Sequence, residues 1–358
     1  GVDGFRITPG GTVAKEFPNS NELDLSYNLN YGLTNNDIRG RGRLGFTFLP
    51  QKFARIYVGG GNVFELITFF QSLDAIISRS NFVNNRFGEI GYSMELVNGL
   101  YMNSSIAYSD KQSVANLTTN AFSEFLFGSQ ETAFDFDRYR IFSFEADLIY
   151  RFGQQFVTRG RKKILLPNNS PVLQLSYRKG VPGIGNSEVN FDYLELRLTH
   201  KLPTLKVGSL NYQVRAGSFI NKNKLRQLEH NFFRGSTPYF FTNPLQDLLE
   251  IGETRSTADA FFQASGIHHF DGFFLDKIPF ISKLQMELLT GGGTLLIPEE
   301  NLYHVELYAG IGKKIKILGE TIQLAVYAVT ADNNLTATSI NYKIGLNFYN
   351  AFAREWLY

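Results

Sequence analysis

The sequence predicts an all-β transmembrane barrel, antiparallel and up-and-down, of about sixteen strands. Three observations predict it. Apolar and polar residues alternate over long runs. The runs reach about eleven residues, where soluble strands average about 5–6. Short and long connections then take turns along the chain, as the two rims of an outer-membrane barrel do.

The elements support this in order. FRIT and TVAKEF would pair around PGG as a first hairpin. In LDLSYNLNYGL (23–33), Leu23, Leu25, Tyr27, Leu29, Tyr31 and Leu33 share one parity, and Asp24, Ser26, Asn28 and Asn30 the other. That is a strand with one apolar and one polar face. After the turn TNND the chain returns with Ile38, Leu44, Phe46 and Phe48 on one parity and Arg39, Arg41 and Arg43 on the other. An outward Arg at the bilayer midplane costs about 2–4 kcal/mol. The three arginines are therefore expected as a luminal basic row. Phe142, Phe144, Leu148, Tyr150 and Phe152 alternate with Ser143, Glu145, Asp147 and Arg151. The same pattern returns at 194–199, 305–311 and 340–348. A soluble sandwich would also alternate, but with shorter strands and a wet second face.

Short turns are expected at 49–52, 97–99 and 202–206, and long connections near 60–84, 110–138, 178–191 and 219–257. The connection 153–170, with TRGRKK, breaks the rule. It reads as a solvated turn or as a basic run meeting headgroups or a partner. The barrel, residues 1–350, should close between a first strand near 4–9 and a last strand near 339–349. The final AFAREWLY (351–358) is expected to leave it as a tail, with Trp356 and Tyr358 at the interface.

Composition excludes several functions. Of the 358 residues none is Cys, so no disulfide, thiolate metal site or cysteine nucleophile is possible. The formal charge of +2 gives no ground for nucleic acid as a partner. No window is long and apolar enough for a transmembrane helix. The chain opens at Gly1 with no signal-like segment, which fits a removed leader or a piece of a longer protein. His268 and His269 are neighbours on a strand, so they face opposite sides. No metal-ligand spacing is present, and no cofactor is expected. GGG at 59–61 and 291–293 lacks the Lys-Ser or Lys-Thr of a phosphate loop, and reads as curvature or close packing. No catalytic residue is expected, and the chain is read as a non-enzyme.

The stretch HNFFRGSTPYFF (230–241) sets five rings around Arg234 and Gly235. Its Asn, Gly, Ser, Pro and Thr make it read as loop.

Six segments together resemble a known family: RSNFVNNRF (79–87), ELVNGLY (95–101), YRKGVPGIGNSEVNFDYLEL (177–196), FFRGSTPYFFTNPL (232–245), IHHFDGFFLDKIPFISKL (267–284) and ELYAGIGKKIKI (306–317). They resemble a Bacteroidota family of uncharacterised outer-membrane proteins. Its members carry a carboxypeptidase-regulatory-like soluble domain before the barrel, and that domain is absent from this chain. More distantly, the family is similar to the BamA/TamA-type superfamily of sixteen-stranded assembly and export barrels. There a Val/Ile-Arg-Gly-Phe/Tyr loop motif folds into the lumen, with five strands after it. Phe233, Arg234 and Gly235 stand at that motif here. Phe233 replaces the aliphatic residue and Ser236 the aromatic one, and ELLTGGG stands where the superfamily has an aromatic-x-Asp pattern.

The resemblance implies a bacterial outer-membrane protein in protein assembly, surface export or envelope biogenesis, with loop 219–257 as a luminal plug. A dehydrated guanidinium needs carboxylates. Glu287 and Glu306, of lumen parity, are the expected partners of Arg234, with Glu287 favoured. Alternatives are a scaffold barrel docking other envelope proteins or lipoproteins, and a passive diffusion channel. Expected partners are outer-membrane lipids and other outer-membrane proteins or lipoproteins.

Overall fold

A strand with one apolar face can stay extended only if neighbours satisfy its main chain. The computed structural model shows how they do so. It describes residues 6–33, 36–67, 82–115, 135–204, 207–235, 240–241, 243–252, 254–317, 320–334, 340–350 and 355–357. Among them the large sheet has eighteen strand segments. Two form one strand, and one belongs to a loop, which leaves sixteen. They are β1 (Arg6–Ile7 and Gly10–Glu16), β2 (Glu22–Gly32), β3 (Ile38–Leu49), β4 (Ala54–Leu66), β5 (Phe82–Val97), β6 (Leu100–Ser113), β7 (Tyr139–Arg151) and β8 (Val172–Val181). The second half comprises β9 (Asn190–Pro203), β10 (Ser209–Lys224), β11 (Phe261–His269), β12 (Met286–Ile297), β13 (Leu302–Ile317), β14 (Glu320–Asn333), β15 (Ile340–Asn350) and β16 (Glu355–Leu357). Each pairs antiparallel with the next. β2 to β15 run 9 to 16 residues. No helix among the described residues is long and apolar enough to cross a membrane, which says nothing of strands.

The alternation sorts the faces as read. On β2, Asp24 is 5% exposed while Leu25 is 45% exposed, and Tyr27, Leu29 and Tyr31 share the exposed side. Leu307, Ile311, Val326 and Ile344 continue that exposed apolar surface on β13, β14 and β15. On the enclosed face, Arg55 of β4 meets Asp24 at 2.7 Å, and Arg43 meets Glu89 at 2.6 Å.

Four expectations need correction. FRIT and TVAKEF do not pair with each other. Arg6–Ile7 and Gly10–Glu16 lie end to end on β2 in one register, Arg6 opposite Gly32 and Gly10 opposite Asn28. Pro9 lacks an N–H, so it interrupts the strand instead of turning it. The sheet is not closed by main-chain pairing: among the described residues no ladder joins β1 to β15 or β16. Residues 355–357 do not leave the sheet. Glu355, Trp356 and Leu357 pair with Asn350, Tyr349 and Phe348, and the rest of 351–358 lies outside the described residues. Finally, 230–241 is not loop throughout. Asn231–Gly235 forms a small sheet with Asp247–Leu248 and Arg255–Thr257, because buried backbone must find partners.

The connection after β7 is structured too. Phe156–Arg159 and Lys162–Leu165 form a hairpin. Lys163 turns back from it to Glu95, and both side chains of that ion pair are buried. Most of the long connections near 60–84 and 110–138 lies outside the described residues.

Candidate functional site

The candidate site is the connection 225–260 with the strand walls it touches. Near its start lies Glu229, in a short turn after β10. Its carboxylate accepts hydrogen bonds from Lys111 of β6 and Tyr139 of β7, each at 2.7 Å. Arg178 of β8 donates to the Glu229 carbonyl at 2.6 Å and stands 3.8 Å from its carboxylate. Three consecutive strands thus grip the loop at its entry. Burial alone would raise the Glu229 carboxyl. The two cations and the two hydrogen bonds outweigh it, so the group lies below its ordinary value.

Beyond this turn the chain lies against the enclosed face. Phe233, Leu248 and Ile251 pack with Phe191 and Tyr193 of β9, Phe219 of β10, Phe261 of β11 and Leu295 of β12. The Phe233 and Phe261 rings meet edge to face at 4.9 Å. Leu245 and Leu249 pack with Ile267, Leu289, Tyr308 and Tyr327. Gly291 makes room there: a Cβ on it would lie 2.5 Å from the Tyr308 hydroxyl, which donates to the Gly266 carbonyl at 3.1 Å.

Arg234 does not meet the acids expected for it. The carboxylate against it is Asp247 of the same connection, at 3.5 Å. Asp247 also accepts the Asn243 N–H at 3.0 Å. Burial lowers the Arg234 guanidinium from its ordinary value, and Asp247 opposes that shift. The pair therefore shapes the loop from within. Glu287 is engaged elsewhere: Gln323 donates to it, and His269 and Lys314 lie 3.6 Å and 3.4 Å away. Glu306 does hold the loop, but through main chain. It accepts the N–H of Leu249 at 2.9 Å and of Glu250 at 3.0 Å, and His304 lies 2.8 Å from it.

The same two loop residues reach β15. Lys343 donates to the Leu249 carbonyl and lies 3.4 Å from the Glu250 carboxylate, and Asn341 donates to that carboxylate at 2.7 Å. Leu249 and Glu250 thus tie β13 to β15. From the ring-rich stretch, Phe240–Phe241 runs parallel to β15, opposite Ile344 and Gly345. Six strands follow the loop, one more than expected, because 355–357 adds to the sheet.

Sequence reasoning missed Glu229, Asp247, Asn341 and Lys343. Lys343 and Asn341 had a signal, their inward parity on β15. Glu229 and Asp247 lie in irregular chain, where parity says nothing. The RGRGR row lies on the enclosed side with Asn28 and Asn30. Arg39 and Arg41 line a cavity of about 860 Å3, with Glu65, Glu89, Lys111 and Glu145 among its other walls. Arg43 is held by Glu89 and stacks over the Tyr57 ring at 4.4 Å.

Among solved structures the chain is similar to BamA from Haemophilus ducreyi lacking POTRA domains 1–3. The likeness covers 94% of this chain and 68% of that one, with TM-score 0.51 and 9% sequence identity. At that identity the likeness is one of fold. No curated protein matches the sequence. Residues 1–311 match the C-terminal domain of the family of unknown function DUF5686, and the chain belongs to that family.

Proposed function

We propose that this chain is a bacterial outer-membrane barrel acting in protein assembly, surface export or envelope biogenesis, without covalent catalysis. One observation carries the reading. A packed loop is tied to the last long strand of a sheet whose two ends no ladder joins among the described residues. A rigid pore wall would gain stability by closing that ladder. A machine that admits a polypeptide between its end strands needs it weak. The exposed apolar face of β2 to β15 supports a bilayer around the sheet, and the BamA-like fold agrees with both points.

The test is crosslinking in cells from Val13 on β1 and Ile344 on β15, the last long strand. The expected catch is a varied set of unfinished outer-membrane or exported chains. A fixed set of envelope proteins in constant stoichiometry would reject assembly and favour a scaffold. The cavity of about 860 Å3, lined by both signs of charge, favours a second reading, a passive diffusion channel. Steady conductance in a planar bilayer would support that reading instead.

A further inference from the structure

Residues 270–285 join β11 to β12, at the rim where shorter turns join β3 to β4, β5 to β6 and β9 to β10. The surface of this connection is apolar. Phe274, Ile278 and Leu284 are 44%, 44% and 49% exposed, and Phe280 is 80% exposed. Phe280 also has φ +73°, a left-handed backbone that glycine adopts freely and a bulky residue does not. It stands between two single turns, Leu275–Lys277 and Ser282–Leu284. A ring held out this way is unfavourable in water. The strand below shows which side the rings take. His268 has the outward parity of β11, opposite to the buried His269. Its ring meets Phe270 at 4.2 Å, and Phe270 meets Phe274 at 5.2 Å. The rings therefore extend the outward apolar surface, formed on β13 by Leu307 and Ile311, past the strand ends.

The charges of the connection are sorted as well. Asp271 meets Lys314 at 3.3 Å, and Asp276 folds back over Gly272. Lys277 stands over the Phe273 ring at 4.0 Å and Lys283 over the Phe280 ring at 6.0 Å. Among the described residues neither lysine has a carboxylate partner. Lys313 is exposed on the outward parity of β13, opposite Met286, where the connection ends. We propose that residues 270–285 form a lipid-binding foot. Phe274 and Phe280 enter the leaflet at this rim, and Lys277, Lys283 and Lys313 bind the phosphate of an anionic phospholipid. This site rests on the outer-membrane reading above and adds a lipid class to it. Rings anchor at the interface between acyl chains and headgroups. Lysine stems can lie along the same apolar surface while their ammonium groups reach the phosphates. Cations and rings on one continuous outward surface favour a bilayer over a second protein as the cover.

The test uses the whole chain in phospholipid vesicles. Trp356 is the one tryptophan, so Trp356→Phe with Phe280→Trp leaves a single indole on the foot. Its emission is read against three quenchers: phosphatidylglycerol brominated on its acyl chains, phosphatidylcholine brominated in the same way, and iodide in the water. Both lipids should quench and iodide should not. At equal shares of the bilayer, phosphatidylglycerol should quench about threefold more strongly, because the lysines concentrate it. Adding Lys277→Gln, Lys283→Gln and Lys313→Gln should make the two lipids equal and leave the indole out of reach of iodide. Equal quenching by the two lipids with the lysines present would overturn the anionic site. Quenching by iodide alone would place the foot in water and overturn the proposal. An indole shielded from all three would mean a protein cover, and would overturn it too. If the chain spans the vesicle bilayer and the indole stays in water, the foot fails and the barrel reading stands. If the chain does not insert, both fail.

Discussion

Glu229 shows how one buried acid docks a loop. Its partners lie 118, 90 and 51 positions away along the chain. Its depressed carboxyl makes the docking pH-dependent, and the sign follows from linkage. A carboxyl lowered by folding contributes fully above its ordinary value of 4.5, and loses that contribution as pH falls through the lower folded value. Hydrogen exchange across 227–235 should therefore be flat from neutral pH down to about pH 5, after allowance for intrinsic rates. In stronger acid it should accelerate. Glu229→Gln should abolish this pH step and loosen the segment by about 3 kcal/mol, roughly a hundredfold in local opening. That is the lower end for a broken buried pair, because Arg178 keeps some contact with water. The same acid step in the Gln variant would show that another group controls docking. The sequence pointed to Arg234 instead, because a guanidinium among rings is conspicuous. It could not show that Asp247, thirteen residues on, would answer that charge locally.

At the scale of elements, the wall behind the loop differs from the rest of the sheet. β2 and β3 were legible because one parity is polar throughout. β12 reads MELLTGGGTLLI, apolar on both parities, because its inward Leu289 and Leu295 meet the loop while Leu296 faces outward. Its strand character could be read, but its inward surface could not. The short turns were legible from their residues. The β1 interruption, the added β16 and the lack of a closing ladder among the described residues were not, since they depend on which edges find partners after the sheet has curled. Glu306 on β13 gives the clearest test of this wall. Its carboxylate accepts hydrogen bonds from two adjacent loop amides. Glu306→Ala should strand both, at about 1–3 kcal/mol each if no water replaces the carboxylate. Limited proteolysis within 243–252 should then speed up markedly. Glu306→Gln keeps one acceptor oxygen and should fall between. Unchanged protection in the Ala variant would mean that apolar packing alone holds the loop.

Across the whole molecule, loop and cavity divide the enclosed side. From β9 to β15 the loop fills it with Phe233, Leu245, Leu248 and Leu249. From β1 to β8 the walls surround the cavity that Arg39, Arg41, Glu65 and Glu145 share. Apolar side chains packed to ordinary interior density leave no continuous water file, so ions crossing on the loop side would have to displace the loop. The expectation is brief, infrequent openings for the intact chain in a planar bilayer. Replacing 231–252 with a short Gly-Ser linker should convert these into long openings of much larger conductance. The exposed wall of the cavity carries both cations and carboxylates, so neither sign of ion should be strongly preferred. The comparison separates the two proposed roles. If the intact chain conducts as steadily as the loop-replaced one, the loop is no barrier and the channel reading gains. If the loop alone keeps the protein silent, its ties through Glu306 and Lys343 control passage. Glu306→Ala should then raise the frequency of openings without changing their size, because it weakens the tie and leaves the loop's bulk in place.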